Sequence, residues 1–326
     1  MQLIALFSAQ GYRITFATTA VVTEHSDSFK DLSIETRTMT LNDPSFDGLL
    51  EELNPDVVLF DRFITEEQFG WRVAEICPDA LKVLDTEDLH FLRKARQEAY
   101  NKGLATENVY TETAKREIAS ILRCDLSLII SEVELALLTD TFAVPERIVY
   151  YLPFLLPSEI SATTQAAQAN FNERSHFMTV GNMKHAPNVA SVKLLKRDIW
   201  PVLRERLPKA ELHIYGAYAP QQLQEMHNPK EGFHIKRWVR DISAVMRSAK
   251  VQLAPLPYGA GLKGKLIDAM VNGLPTVTSS AGAEGMFGAF EPPGSIANRW
   301  EAVVNEAESL YTRKANWLKA QQNGYD

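Results

Sequence analysis

The chain has 326 residues, 45% of them hydrophobic and 23% charged, a globular balance with enough length for two cores of about 150 residues each. A formal net charge of -7 argues against broad nucleic-acid binding and leaves a local basic pocket as the place for an anionic ligand. Two cysteines, Cys77 and Cys124, form no Cys-x-x-Cys pair, and the seven histidines are scattered along the sequence, so no metal set is legible and a reduced, cytoplasmic setting is expected. No apolar run approaches the roughly 18 residues of a membrane span, and the N-terminus lacks the pattern of a signal peptide.

Residues 2–11 read as the tail of an amphipathic helix with a glycine stop, followed by a strand over 12–18. A helix with nothing before it suggests that a preceding strand and loop are absent. Apolar runs at 54–61, 81–85 and 125–131 predict buried strands, separated by helical periodicity at 64–77, 90–102 and 109–123. Alternation of this kind implies parallel βαβ units, a doubly wound sheet. The pattern lapses around 155–171 into small and polar residues. The expected organisation is therefore a first domain over 1–155, a linker over 156–172 and a second domain over 173–326. In the second domain the sequence predicts strands at 176–180, 211–215, 251–254 and 276–278 and a long helix over 189–207.

The run Tyr258-Gly-Ala-Gly-Leu-Lys-Gly-Lys-Leu-Ile-Asp-Ala-Met-Val-Asn-Gly-Leu-Pro275 carries the main chemical signal. Glycines 259, 261 and 264 surround a helix start that Gly273 and Pro275 end. Such an entrance lets an anion approach free N–H groups at the positive end of the helix. Gly261, Gly264, Lys265 and Asp268 share one side at 3.6-residue spacing. Lys265 can add a point charge to a diphosphate, and Asp268 can accept hydrogen bonds from a diol. Spacing alone leaves open a Lys265/Asp268 surface pair worth about 0.3 kcal/mol.

The block resembles the donor-binding segment of family 4 of the glycosyltransferases (the group 1 enzymes): a Gly-rich turn, a helix with a carboxylate followed by Ala269-Met270, then Gly273-Leu-Pro275, a strand Thr276-Val-Thr278 and the turn Ala281-Gly-Ala-Glu-Gly285. Upstream, Val180-Gly-Asn-Met-Lys-His-Ala-Pro-Asn188, Ile199-Trp-Pro201, Pro208-Lys-Ala-Glu-Leu-His-Ile-Tyr-Gly216 and Trp238-Val-Arg-Asp-Ile242 are similar in order and spacing, as are Asp85-Thr-Glu-Asp-Leu-His-Phe-Leu-Arg93 and Arg123-Cys-Asp-Leu-Ser-Leu-Ile-Ile-Ser-Glu132. The resemblance implies the GT-B architecture, two Rossmann-like domains facing a cleft. It implies a retaining enzyme that takes a nucleoside diphosphate sugar to a saccharide or lipid-linked acceptor, without a metal or other cofactor, in the cytoplasm or at the inner membrane face. By position, Asp268 would hold the donor ribose, Lys263 or Lys265 the diphosphate, and the turn with Gly282, Ala283 and Glu284 the phosphate or sugar. Gly181 and Asn182 would lie in the open loop near the phosphates, and His90 would face the transferred sugar, giving His90, Lys265 and Asp268 the catalytic places. A lone histidine at a helix entrance can equally cap or pack.

Four positions depart from the family pattern. Relatives carry two glutamates with seven residues between them, where this sequence has Ala260 and Asp268. They carry an arginine and a lysine at the places of Asn182 and Asn188, so either Lys263 and Lys265, or Lys184, supply the charge or the diphosphate is held weakly. These departures keep open a non-catalytic relative that binds a nucleotide sugar or a protein partner. Glu87 and Asp88 are expected to cap the helix that begins near His90, Arg93 to reach the cleft or pair with Glu98, and Trp200 and Trp238 to anchor the core.

Overall fold

The computed structural model describes residues 2–21, 29, 34–156 and 170–326. The chain divides into two compact units, one made of Met1–Glu87 and Glu112–Leu155, the other of Asp88–Thr111 and Leu156–Asp326. The expected linker lies outside the described residues over 157–169. The segment Asp88–Thr111, read from sequence as part of the first domain, groups with the second unit.

In the first unit, strands β1 (Thr15–Thr18) and β2 (Glu35–Thr38) pair in parallel as a separate two-stranded sheet. Strands β3 (Val57–Asp61), β4 (Leu81–Asp85), β5 (Leu126–Ile129) and β6 (Val149–Tyr151) form a four-stranded parallel sheet in that order. Leu84 and Ile129 are fully buried, as expected where helices cover both faces of parallel strands. The helices Arg62–Ile76 and Glu112–Arg123 contribute Phe63, Val73 and Ile121 to the interior. The buried Glu66 carboxylate, on the first of these helices, is compensated by two hydrogen bonds from Arg123 at 2.9 and 2.5 Å. Cys77 and Cys124 are buried and unpaired.

The second unit carries a six-stranded parallel sheet from β7 (His176–Val180), β8 (Leu212–Tyr215), β9 (Phe233–Arg237), β10 (Ala249–Ala254), β11 (Thr276–Thr278) and β12 (Gly294–Ile296), in the order β12-β11-β10-β7-β8-β9. Strands succeed one another outward in one direction from β7 and in the other from β10. This is the doubly wound arrangement, whose switch point lies between β7 and β10. One sheet face packs Phe177, Leu212, Phe233, Leu253 and Val277 against Leu195, Trp200, Val304 and Trp317. The expected long helix runs from Ala186 to Arg206 with a π turn at Leu195–Ile199, just before Pro201, which has no N–H to continue the ladder. Trp200 is a core anchor, 1% exposed, and its indole donates to the Glu231 carbonyl at 2.7 Å. Trp238 is not one: it lies past the end of the edge strand β9 and is 45% exposed. No helix among the described residues is long and apolar enough to cross a membrane.

Candidate functional site

The loop after β7 and the segment after β10 leave the sheet at the carboxyl ends of the two strands that flank the switch point, where ligands bind in open α/β sheets. Gly181 ends the first of these strands, its N–H donating to the Tyr215 carbonyl at 3.1 Å. Gly216 fits against it with φ +151°, and a Cβ there would overlap the Gly181 carbonyl oxygen, so only glycine suits this approach. Asn182 bends the loop back, its side chain accepting from the Lys184 N–H at 2.9 Å.

Asn188, at the first turn of the helix Ala186–Leu194, ties this loop to the second. Its amide donates to the Asn182 carbonyl at 2.9 Å, and its side-chain oxygen accepts from the Lys265 ammonium at 2.6 Å. Thus Asn188, whose own part was left between structure and donor binding, connects the loop that follows Gly181 to Lys265. Burial, and then the nearby Lys263 charge, lower the pKa of Lys265 from the usual lysine value to about 7.

Lys265 is the second residue of the helix Gly264–Val271. Its predecessor Lys263 is the N-cap and folds its ammonium onto the Ala260 and Gly261 carbonyls at 2.8 and 2.6 Å. Lys263 therefore closes the glycine turn. Gly261 takes φ +61° there, a left-handed conformation that costs glycine little. Ala260 is 6% exposed, so the methyl that stands at the family's first glutamate position is enclosed. Asp268, one turn beyond Lys265, is exposed; desolvation by the surrounding protein raises its carboxyl pKa above the ordinary value. The helix ends as predicted at Gly273, φ +57°, where a Cβ would overlap the Tyr325 hydroxyl.

The turn after β11 is a short helix, Ser280–Ala283, capped by Ser279, whose hydroxyl accepts from the Gly282 N–H at 3.1 Å and donates to the Leu256 carbonyl at 2.5 Å. A Cβ on Gly282 would overlap the Thr278 hydroxyl. Ala283 and Glu284 follow. Glu284 is held by two hydrogen bonds from Arg96 at 2.6 and 2.9 Å, while Arg96 also donates to the Gly259 carbonyl at 2.7 Å and to Glu107 at 3.1 Å. Arg96 thereby links both glycine-rich turns. Nothing in the sequence singles it out, because it is one of several cations on the helix His90–Lys102.

His90 opens that helix, with Nε2 3.4 Å from an Asp88 carboxylate oxygen. The N-cap position is Leu89, whose side chain makes no capping hydrogen bond, and not Glu87 or Asp88. Asp88 instead accepts from Arg93 at 2.7 and 3.2 Å, and Glu98 pairs with Lys102. Arg93 is thus committed to Asp88 and not to Glu98. Beside the Ser279 turn opens a cavity of about 700 Å³, lined among others by Tyr100, Arg197, Ser280, Asn298 and Trp300. Lys265 and Asp268 are not among its lining residues, so it is separate from the glycine-rich helix entrance.

The second unit is a doubly wound α/β fold with the polar residues Asn182, Asn188 and Lys265 at the switch point. Residues 174–310 match the model of the family described as Glycosyl transferases group 1. No curated protein matches the chain. Among solved structures, WaaG, a glycosyltransferase involved in lipopolysaccharide biosynthesis, superposes with a TM-score of 0.66 at 13% identity, over 100% of this chain and 89% of its own. Sucrose-phosphate synthase from Thermosynechococcus elongatus gives 0.66 at 14% identity, over 99% and 86%. A TarM mutant from S. aureus, in complex with Fondaparinux, alpha-GlcNAc-glycerol and UDP, gives 0.65 at 12% identity, over 85% of this chain. The chain spans only 54% of the length of that TarM chain. The fold is GT-B, as the sequence predicted.

Proposed function

We propose that this protein is a metal-independent, retaining glycosyltransferase that uses a nucleoside diphosphate sugar and a saccharide or lipid-linked acceptor, in polysaccharide biosynthesis on the cytoplasmic side. The observation that carries the reading is the hydrogen-bonded run Lys265–Asn188–Asn182 at the carboxyl end of β7, beside the exposed Asp268 and inside the matched segment 174–310. UDP is bound in the TarM complex, and UDP and GlcNAc in the pneumococcal O-GlcNAc transferase GtfA. In this reading the diphosphate meets the N-terminus of the helix Gly264–Val271 and Lys265, Asp268 accepts hydrogen bonds from the ribose diol, and Glu284, positioned by Arg96, shapes the sugar side together with Gly282, Ala283 and His90. The acceptor hydroxyl attacks the anomeric carbon on the face from which the diphosphate leaves. The carbon–oxygen bond to phosphate breaks, the new glycosidic bond forms, and the hydroxyl proton passes to the departing phosphate oxygen. The protein contributes position and charge stabilisation. Nucleotide release across a panel of donors tests this, with Lys265→Ala and Asp268→Ala alongside. Unchanged turnover in both variants removes the assignment.

A second reading is favoured by the enclosed Ala260 and by Lys263 being spent on backbone carbonyls: a non-catalytic GT-B relative that binds a nucleotide sugar or a protein partner. Calorimetric binding of a nucleoside diphosphate, with no turnover of any donor, would select it.

A further inference from the structure

At the opposite, N-terminal ends of strands β7, β8 and β9, four of the seven histidines gather. His213 and His234 are direct register partners on β8 and β9, and Glu211, just before β8, lies two residues from His213 and so on the same face. The His213 Nε2 is 2.8 Å from one Glu211 oxygen and the His234 Nε2 is 3.6 Å from the other. One donor atom from each of the three residues falls within 4.8 Å of the other two. The His234 Nε2 is shielded from solvent yet has no hydrogen-bond partner, which is costly for a polar atom. His176 stacks on His213 at 4.1 Å, and His227 lies edge-on to His234 at 5.9 Å while its Nδ1 accepts from the Ile235 N–H.

We propose that Glu211, His213 and His234 form a divalent-metal site, with Zn²⁺ as its cation and a fourth position open to water or an outside ligand. Two imidazoles and a carboxylate are a zinc donor set, and tetrahedral bonds of zinc length separate their ligand atoms by about 3.3 Å. The 2.8 and 3.6 Å spacings run to different oxygens of the Glu211 carboxylate, and with one donor atom from each residue the three lie within 4.8 Å of one another, a spread that a bound zinc ion would draw in. In the metal-free chain the close His213–Glu211 approach is a hydrogen bond, and the metal replaces the shared proton. The Tyr215 hydroxyl, 3.3 Å from the His213 Nδ1, is the outer partner that fixes the ring once Nε2 is bound. Lys236 faces the cluster from β9 and opposes a cation; the Glu211 carboxylate offsets it. A cation here ties the edge strand β9 to β8, at the end of the sheet away from Gly181. It has no part in glycosyl transfer, so the proposal stands apart from that reading.

Titration of the full chain, free of any polyhistidine tag, with ZnCl₂ in a calorimeter tests it, together with Co²⁺ absorption and thermal unfolding. The expected result is one saturable site, intense tetrahedral Co²⁺ bands and a raised melting temperature. All three should be lost in His213→Ala and His234→Ala and kept in His185→Ala, which lies outside the cluster. Glu211→Gln, which preserves shape, is expected to weaken Zn²⁺ at least about tenfold and keeps the test decisive should a histidine variant fail to fold. Absence of saturable binding to the wild-type chain, or binding that survives in Glu211→Gln and both histidine variants, overturns the proposal.

Discussion

Lys265 makes the proposed donor site testable through pH. Its ammonium is packed against Asn188, and its pKa is lowered to about 7, first by burial and second by Lys263. A base with a depressed pKa is largely neutral above that value, so at pH 8 the free protein offers mostly an amine. A diphosphate favours the charged form and raises the pKa on binding, and the complex takes up a proton. The sign follows: affinity is flat where Lys265 is already charged, falls as pH rises above about 7, and levels off again above the pKa of the complex. One pKa unit is about 1.4 kcal/mol, a tenfold change, and half of Lys265 is already neutral at pH 7, so between pH 7 and 9 the affinity for a nucleoside diphosphate is expected to drop by up to about 50-fold. Calorimetry in buffers of different ionisation enthalpy measures both the affinity and the proton uptake. The nucleotide's terminal phosphate completes its own ionisation only about one to two pH units above its pKa of about 6, and Lys265→Gln separates that contribution from the lysine's. Affinity that is constant over this range, or a pH dependence that Lys265→Gln retains, refutes the reasoning.

Gly216→Ala places a methyl against the Gly181 carbonyl at a backbone φ of +151°, so a loss of about 3 kcal/mol or more is expected in chemical denaturation; a loss below about 1 kcal/mol would show that the loop after β7 yields easily. The Arg96–Glu284 pair, with side chains 18% and 24% exposed, is expected to show a coupling of about 1–3 kcal/mol in a double-mutant cycle of Arg96→Gln and Glu284→Gln. Additive single effects would remove Arg96 as the link between the two turns.

The buried parallel strands were the most legible part of the fold, because covered faces demand uninterrupted apolar runs: β4 and β7 fall on the predicted residues 81–85 and 176–180. The edge strands were not. Phe-His-Ile-Lys-Arg in β9 and Gly-Ser-Ile in β12 carry little of that signal, since an edge strand needs only one buried face. At the site, the glycine turn and its helix were visible as punctuation, but Arg96 acts across 188 residues of sequence on Glu284, and no local pattern encodes such a reach. The histidines illustrate the same limit. Scattered at positions 176, 213, 227 and 234, they converge only because β7, β8 and β9 lie side by side. The helix cap failed for a different reason: the N-cap position falls on Leu89, one residue past Asp88, and the Asp88 carboxylate accepts two charge-assisted hydrogen bonds from Arg93.

These placements constrain how a diphosphate would find its counter-charge. Lys263 is held by the turn it closes, Arg96 is held by Glu284 and Glu107, and Asn182 and Asn188 bring no charge. Lys184 sits over the Tyr218 ring at 3.9 Å, so among these described residues Lys265 is the cation that can change state at the entrance of the helix Gly264–Val271, and its present partner is a neutral amide oxygen. A neutral acceptor at 2.6 Å satisfies one hydrogen of an amine or an ammonium alike, so it does not hold the charge in place. Donor binding and protonation then become one event, in which the incoming anion draws the proton that balances it. In the proposed transferase, that proton keeps Lys265 charged while negative charge builds on the departing phosphate. In a binding-only relative, the same uptake would accompany binding without turnover, so the proton count and the turnover assay together distinguish the two readings where neither does alone.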